Sequence, residues 1–180
     1  CNLILMHCLN MKLPDAEALL KTLAEKLGPL VLANKPADTA LVGIHSGGAW
    51  LTERLLPMLG QEKLQHGMLD VSFYRDDFAS RGLHKENRPS QIPFDVQDKH
   101  IIIIDDVFYT GRTIRAAMNE LFDYGRPASI TLAVLVNRGG RELPITPQIA
   151  ALDMDLAPDQ NLQLLRHDDG RFYLTLEKNA

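Results

Sequence analysis

The sequence predicts an α/β fold with a largely parallel central sheet flanked by helices. Three observations lead there. Apolar stretches of strand length alternate with stretches whose apolar residues recur every three or four positions, the order that builds parallel sheets through helical crossovers. The run KHIIIID (99–105) has no polar position from Ile101 to Ile104, so it reads as a central strand covered on both faces. At 180 residues the chain suffices for one sizeable core, and a second independent domain is not expected.

The elements follow in order. CNLILMHCLN (1–10) precedes Met11, lacks a basic leader and a small-residue cleavage site, and reads as an upstream extension to a single domain over 11–180. Pro14-Asp15 opens a helix whose apolar positions, Ala16, Leu19, Leu20, Leu23, Ala24 and Leu27, share one face; Gly28-Pro29 is expected to end it. TALVGI (39–44) is a buried strand, HSGG (45–48) a tight turn, AWLTERLLPML (49–59) a helix and MLDVSFY (68–74) a further strand. From Arg75 to about Pro93 the residues are polar without a period, which predicts a lid-like connection. After the 99–105 strand come a helix from Arg112 to Tyr124, stopped by Gly125, and a buried strand SITLAVLV (129–136). NLQLLR and RFYLTLE then pair around a turn at HDDG.

Composition narrows the function classes. The net charge of −4 does not advertise the whole molecule to nucleic acid, and no apolar run approaches the roughly 18 residues of a membrane span. The only cysteines, Cys1 and Cys8, lie in the leading segment, so a reducing cytoplasm is the simplest location. His7, His66, His84, His100 and His167 show no ligand spacing, so no protein-held metal site is expected. Every arginine except Arg54 lies at or after position 75, and arginine is the better bidentate partner for phosphate.

Ligands of open parallel sheets bind beyond the carboxyl ends of the strands. Three loops stand there: 45–48, 105–111 and 137–142. In IIIIDDVFYTGRT (101–113), the glycine turn running into a helix N-terminus offers backbone N–H groups and the helix dipole to an anion. Thr110 and Thr113 add hydroxyls. Asp105 and Asp106 would repel a phosphate but accept hydrogen bonds from sugar hydroxyls. One ligand explains both halves: a sugar carrying phosphates.

The same run resembles the phosphoribosyl pyrophosphate (PRPP) signature of type I phosphoribosyltransferases. DDVFYTGRTIRAAMNELFDYGRPASITLAVLVNRGGRELPI resembles one branch closely, the bifunctional pyrimidine operon attenuator and uracil phosphoribosyltransferase family, as does DVSFYRDDF. The resemblance implies a small hood of terminal and loop segments over the sheet. It implies that Asp105 and Asp106 hold the ribose hydroxyls and stabilise the sugar cation. Tyr109, Thr110, Gly111, Arg112 and Thr113 would wrap the 5′-phosphate, Ser46, Gly47 and Gly48 would form the pyrophosphate loop, and Arg75 would close over the leaving group. The loop Val136, Asn137, Arg138 to Arg141 would face the base. Mg²⁺ would arrive with PRPP, held mainly by the diphosphate. Tyr109 stands where purine-using relatives carry an acid, which ranks uracil above hypoxanthine or guanine. His45-Ser46-Gly47-Gly48 departs from the Lys- and Arg-bearing loop of well-known members, and Asn137 and Gly140 stand where relatives often show Asp and His.

The leading reading is thus a uracil phosphoribosyltransferase that makes UMP and diphosphate. The alternatives are a nucleotide-sensing RNA-binding attenuator of pyrimidine operons and a type I transferase for another base. A homo-oligomer, dimer or higher, is expected. RNA binding is the less favoured partner reading, because the pocket and lid engage most of the arginines.

Overall fold

The computed structural model describes residues 13–71 and 89–178. Among these, β1 (Thr39–Ile44), β2 (Gln65–Leu69), β3 (His100–Phe108), β4 (Ser129–Asn137) and β5 (Ile149–Asp153) form one sheet. Its order is β2-β1-β3-β4-β5, with every neighbouring pair parallel. Helices α1 (Ala16–Ala33), α2 (Gly47–Leu59) and α3 (Arg112–Tyr124) flank it, and β6 (Gln160–Arg166) and β7 (Phe172–Lys178) form a separate antiparallel hairpin. The α/β class with a parallel central sheet flanked by helices is the one the sequence predicts.

The isoleucine run explains itself. Ile102 and Ile104 pack into a core built by α1, α2 and the hairpin, while Ile101 and Ile103 point to the opposite core, under α3. Alternation sends successive side chains to opposite faces, and here both faces are dry. Each buried isoleucine contributes about 1.5–3 kcal/mol.

Several boundaries differ from expectation. Helix α1 runs through Gly28 and Pro29 to Ala33. Pro29 removes the helical partner of the Glu25 carbonyl, but both residues are exposed, so the loss falls on the solvent side of the helix. Meanwhile Leu27 and Val31, four apart and both fully buried, keep the same face docked. Helix α2 begins at Gly47, two residues early, so half of the expected HSGG turn is helical. The strand expected at 68–74 is instead β2, which ends with its partner β1 at the Ile44–Leu69 pair; residues 72–74 lie outside the described residues. The chain returns to that edge, with Gln91 bridging Met68 and Ser90 Oγ accepting from the Asp70 N–H at 2.9 Å. Strand β5 was not expected, because IAALD is a short, half-buried edge strand with two alanines at its centre and only one β-branched residue. The hairpin matches its expected strands and turn.

An unpredicted clasp holds the hairpin. Arg54 on α2 bonds Glu17 on α1 at 2.8 Å, donates to the Gly170 carbonyl at 3.2 Å and lies over the Phe172 ring. Glu17 also accepts from the Phe172 N–H at 2.8 Å. Burial pushes the Glu17 carboxyl up, but the hydrogen bonds from Arg54 and Phe172 and the Arg54 charge outweigh it and hold it below the usual carboxylate range.

Candidate active site

The strand lengths create the site. The β1–β3 ladder stops at Gly43 and Ile104, where β1 turns away toward α2, while β3 continues to Phe108 beside β4. Asp105 and Asp106 are the first residues of β3 past that fork. They are 3% and 7% exposed, and the Asp106 N–H donates to Asp105 Oδ1 at 3.0 Å. In so dry a place a charge interacts far more strongly than in water.

The first turn of α2 lies directly on them. A Cβ added at Gly47 would stand 2.5 Å from Asp106 Cγ, and one at Gly48 would stand 2.1 Å from the Ile104 carbonyl oxygen. Thr52 Oγ1 donates to the Gly48 carbonyl at 2.9 Å and steadies that turn. The Ser46 side chain makes no capping bond to α2, so the first N–H groups of the helix have no side-chain cap from it. The sequence-predicted acid pair and glycine loop are therefore in contact, although they lie far apart in the chain.

The turn into α3 completes the triangle. Thr110 is buried, and its carbonyl accepts from the N–H groups of Glu142 and Leu143 at 3.1 and 3.2 Å. Gly111 takes φ +97°, in the left-handed region that favours glycine, and sends the chain into α3. A pocket of about 40 Å³ lies among Asp105, Tyr109, Thr110, Gly111 and Thr113. The Arg112 side chain, by contrast, is half-exposed and pairs with Glu142 at 2.6 Å, so its backbone belongs to the turn while its charge faces the neighbouring loop.

The third loop is more tightly built than expected. Val136, the first residue of the stretch expected to face the base, packs its side chain into the core. Asn137 Nδ2 donates to Asp153 Oδ1 at 2.8 Å. Arg138 is 4% exposed, with its guanidinium carbon 3.9 Å from the Tyr109 ring centroid and a hydrogen bond of 3.1 Å to the Ala157 carbonyl. Burial pushes the Arg138 guanidinium down from its ordinary value, and Tyr109 pulls the other way. Arg141 is exposed. Arg75, with Arg81, Lys85 and Arg88, lies outside the described residues. Sequence reasoning missed two acids that hold these loops, Asp153 as the partner of Asn137 and Glu142 as the partner of Arg112; the one local signal was an acid directly after Arg141.

A larger cleft of about 580 Å³ runs along the outward face of α3, lined by Arg112, Arg115, Asn119, Asp123 and others. It mixes charges as a solvated helix face does, and the acid pair does not reach it, so chemistry rather than size places the site. Among the described residues no helix is long and apolar enough to cross a membrane, and no group of three or more His, Cys, Asp or Glu could hold a metal ion.

Buried acids stand beside two glycine-bearing helix N-termini at the carboxyl edge of a parallel sheet, so hydrogen-bond acceptors and an anion-attracting helix end lie side by side. The model of the phosphoribosyl transferase domain family matches residues 12–159, and the chain belongs to that family. Within it, the chain is 48% identical to the bifunctional protein PyrR of Nitrosococcus oceani over 159 residues, 88% of this chain and 90% of that one. It is 46% identical to the bifunctional protein PyrR of Ralstonia nicotianae over 166 residues, 91% and 94% of the two chains. Among solved structures, a hypoxanthine phosphoribosyltransferase from Staphylococcus aureus superposes with a TM-score of 0.63 at 20% identity, covering 90% of this chain and 86% of that one. A hypoxanthine-guanine phosphoribosyltransferase from Bacillus anthracis gives 0.63 at 14% identity, covering 84% and 86%. At those identities the structures speak for the fold alone.

Proposed function

We propose that the protein transfers the 5-phosphoribosyl group from PRPP to uracil, giving UMP and diphosphate. The observation that carries this reading is the contact between the buried acid pair and the α2 N-terminus, with the Thr110–Thr113 turn on the other side. Bond breaking at the anomeric carbon builds oxocarbenium-like charge, as in glycoside cleavage. Asp105 and Asp106 hold the ribose hydroxyls and stabilise that cation. The N–H groups of the 110–113 turn take the 5′-phosphate, and Ser46, Gly47 and Gly48 take the diphosphate through their backbone. Arg75 closes over the leaving group, and the loop from Val136 to Arg141 borders the base, with Tyr109 in place of the acid of purine-using relatives.

The oxygen-only donors of the acid pair fit Mg²⁺, which prefers one or two carboxylates plus substrate phosphates and water to a protein cage. It would supply charge neutralisation at the departing diphosphate. We place the protein in the cytoplasm, as a homo-oligomer with a single domain over 11–180.

The curated relatives are named bifunctional, and RNA-dependent attenuation of pyrimidine operons is the second function we weigh. Phosphate neutralisation dominates RNA affinity, this chain carries a net charge of −4, and among the described arginines Arg54, Arg112, Arg138 and Arg171 bond to protein groups. Weak or absent RNA binding is the expectation. Diphosphate release from PRPP that depends on uracil, compared with hypoxanthine and guanine, tests the enzyme reading. Turnover with a purine and none with uracil would move the assignment to another base. Sub-micromolar binding of a pyrimidine-operon leader transcript at about 150 mM salt, tightened by UMP, would promote the regulator.

A further inference from the structure

In the signature turn, the Tyr109 side chain packs against the loop that follows β4. On one face the Arg138 guanidinium stacks at 3.9 Å, well inside the range at which a cation is drawn to a ring face. At the ring edge lies Gly140: a Cβ there would stand 2.4 Å from Tyr109 Cε2. Gly139 and Gly140 take φ +76° and +75°, so two successive left-handed residues curl the loop against the phenol. The grip is anchored at both ends. The Arg138 N–H donates to the Phe108 carbonyl at 3.1 Å, and its own carbonyl accepts from Leu156 at 3.2 Å. The Ala157 carbonyl that takes the guanidinium also accepts from the Gln160 N–H at 3.0 Å, and Gln160 Oε1 accepts from the Ala157 N–H at 3.0 Å. The guanidinium is thereby fixed to the first residue of the hairpin.

We infer that Arg138 is a positioning residue: with Gly140 it clamps the Tyr109 ring and so fixes the wall beside the acid pair, instead of contacting the base itself. A buried charge is retained only where stacking and hydrogen bonds compensate its desolvation, and here both run to protein groups. The planar fork matters as much as the charge, because a lysine ammonium cannot stack flat on the ring and reach Ala157 together. The rival is direct contact. Arg138 Nε is buried and makes no hydrogen bond among the described residues, so it could donate to a substrate oxygen.

The inference rests on the transferase reading, and the test separates the two. Steady-state kinetics with uracil and PRPP are measured for wild type, Arg138→Lys, Tyr109→Leu and the double variant. If Arg138 acts through Tyr109, each single change lowers kcat/KM on the order of tenfold, as loss of a desolvated cation–π contact implies, and the double change is no worse than the worse single. Multiplying losses would overturn the inference in favour of direct contact. A wild type without uracil-dependent turnover would sink the proposed function but leave the clamp testable. In ¹⁵N-arginine side-chain spectra of the intact protein, the Arg138 Nε–H should lie upfield from the ring current, stay there in Tyr109→Phe and relax in Tyr109→Leu. An Nε–H at an ordinary position, unmoved by Tyr109→Leu, would overturn the clamp without any kinetic measurement.

Discussion

The turn from β1 into α2 and the turn from β3 into α3 both set glycine at a helix N-terminus, but they need it for different reasons. Gly47 and Gly48 have no left-handed backbone; they have no room, with added Cβ atoms landing 2.5 Å from the Asp106 carboxyl and 2.1 Å from the Ile104 carbonyl. Gly111 has room, its nearest neighbour for such an atom being Leu143 Cβ at 3.4 Å, but its φ of +97° penalises any side chain. The first turn contributes backbone alone, pressed against the sheet. The second brings acids and hydroxyls of its own. Under the proposed function, one chain thereby assembles a two-ended anion and sugar site with its acids on one side only.

The sharpest way to break this contrast is Gly48→Ala. Its Cβ meets central-strand backbone that cannot move cheaply, so a stability loss of about 3 kcal/mol is expected, read by denaturant unfolding. Gly47→Ala presses on a side chain instead and should lower turnover more than stability. Next, Asp105→Asn with Asp106→Asn keeps shape and removes charge: turnover should fall by at least about a hundredfold, about 2.7 kcal/mol, with the fold retained. Near-native turnover in a folded double variant would refute the role of the acids. Gly111→Ala should destabilise by about 1–2 kcal/mol through its torsion alone; a loss as large as that at Gly48 would erase the distinction.

The smallest effect lies in the clasp that seats α2. Glu17 is held below the usual carboxylate range, so its contribution is present above its unfolded pKa and disappears as pH falls through the folded value. As a partly exposed pair it is worth about 0–1 kcal/mol. Glu17→Gln should be slightly less stable than wild type at neutral pH and indistinguishable at strongly acidic pH. A difference that grows on acidification would contradict that sign.

Much of this was legible where a single physical pressure acted on consecutive residues. The isoleucine run, the helix from Arg112 to Tyr124 and the hairpin around HDDG are local patterns with local stop signals. Boundaries set by a partner were not: β2 ends where β1 ends, and α1 continues past Pro29 because Val31 finds a core that the helix itself does not announce. In the site, the acids and the glycine turn stood out by type, but the burial of Arg138 did not. An arginine in a glycine-rich loop looks solvent-bound until the ring it stacks on is placed.

The fork between β1 and β3 has a kinetic consequence. β1, α2 and β2 form one crossover unit and β3, α3 and β4 another, and the ladder joining them pairs Val42 with Ile103, about sixty positions apart. Gly47 and Asp106 stand on opposite sides of that seam. Contacts so distant in sequence must first overcome the entropy of closing a long loop, and they dominate slow folding. A chain emerging from the ribosome therefore carries the β1–α2 turn well before the acids exist to meet it, and the meeting of the two is timed by the least local pairing in the sheet.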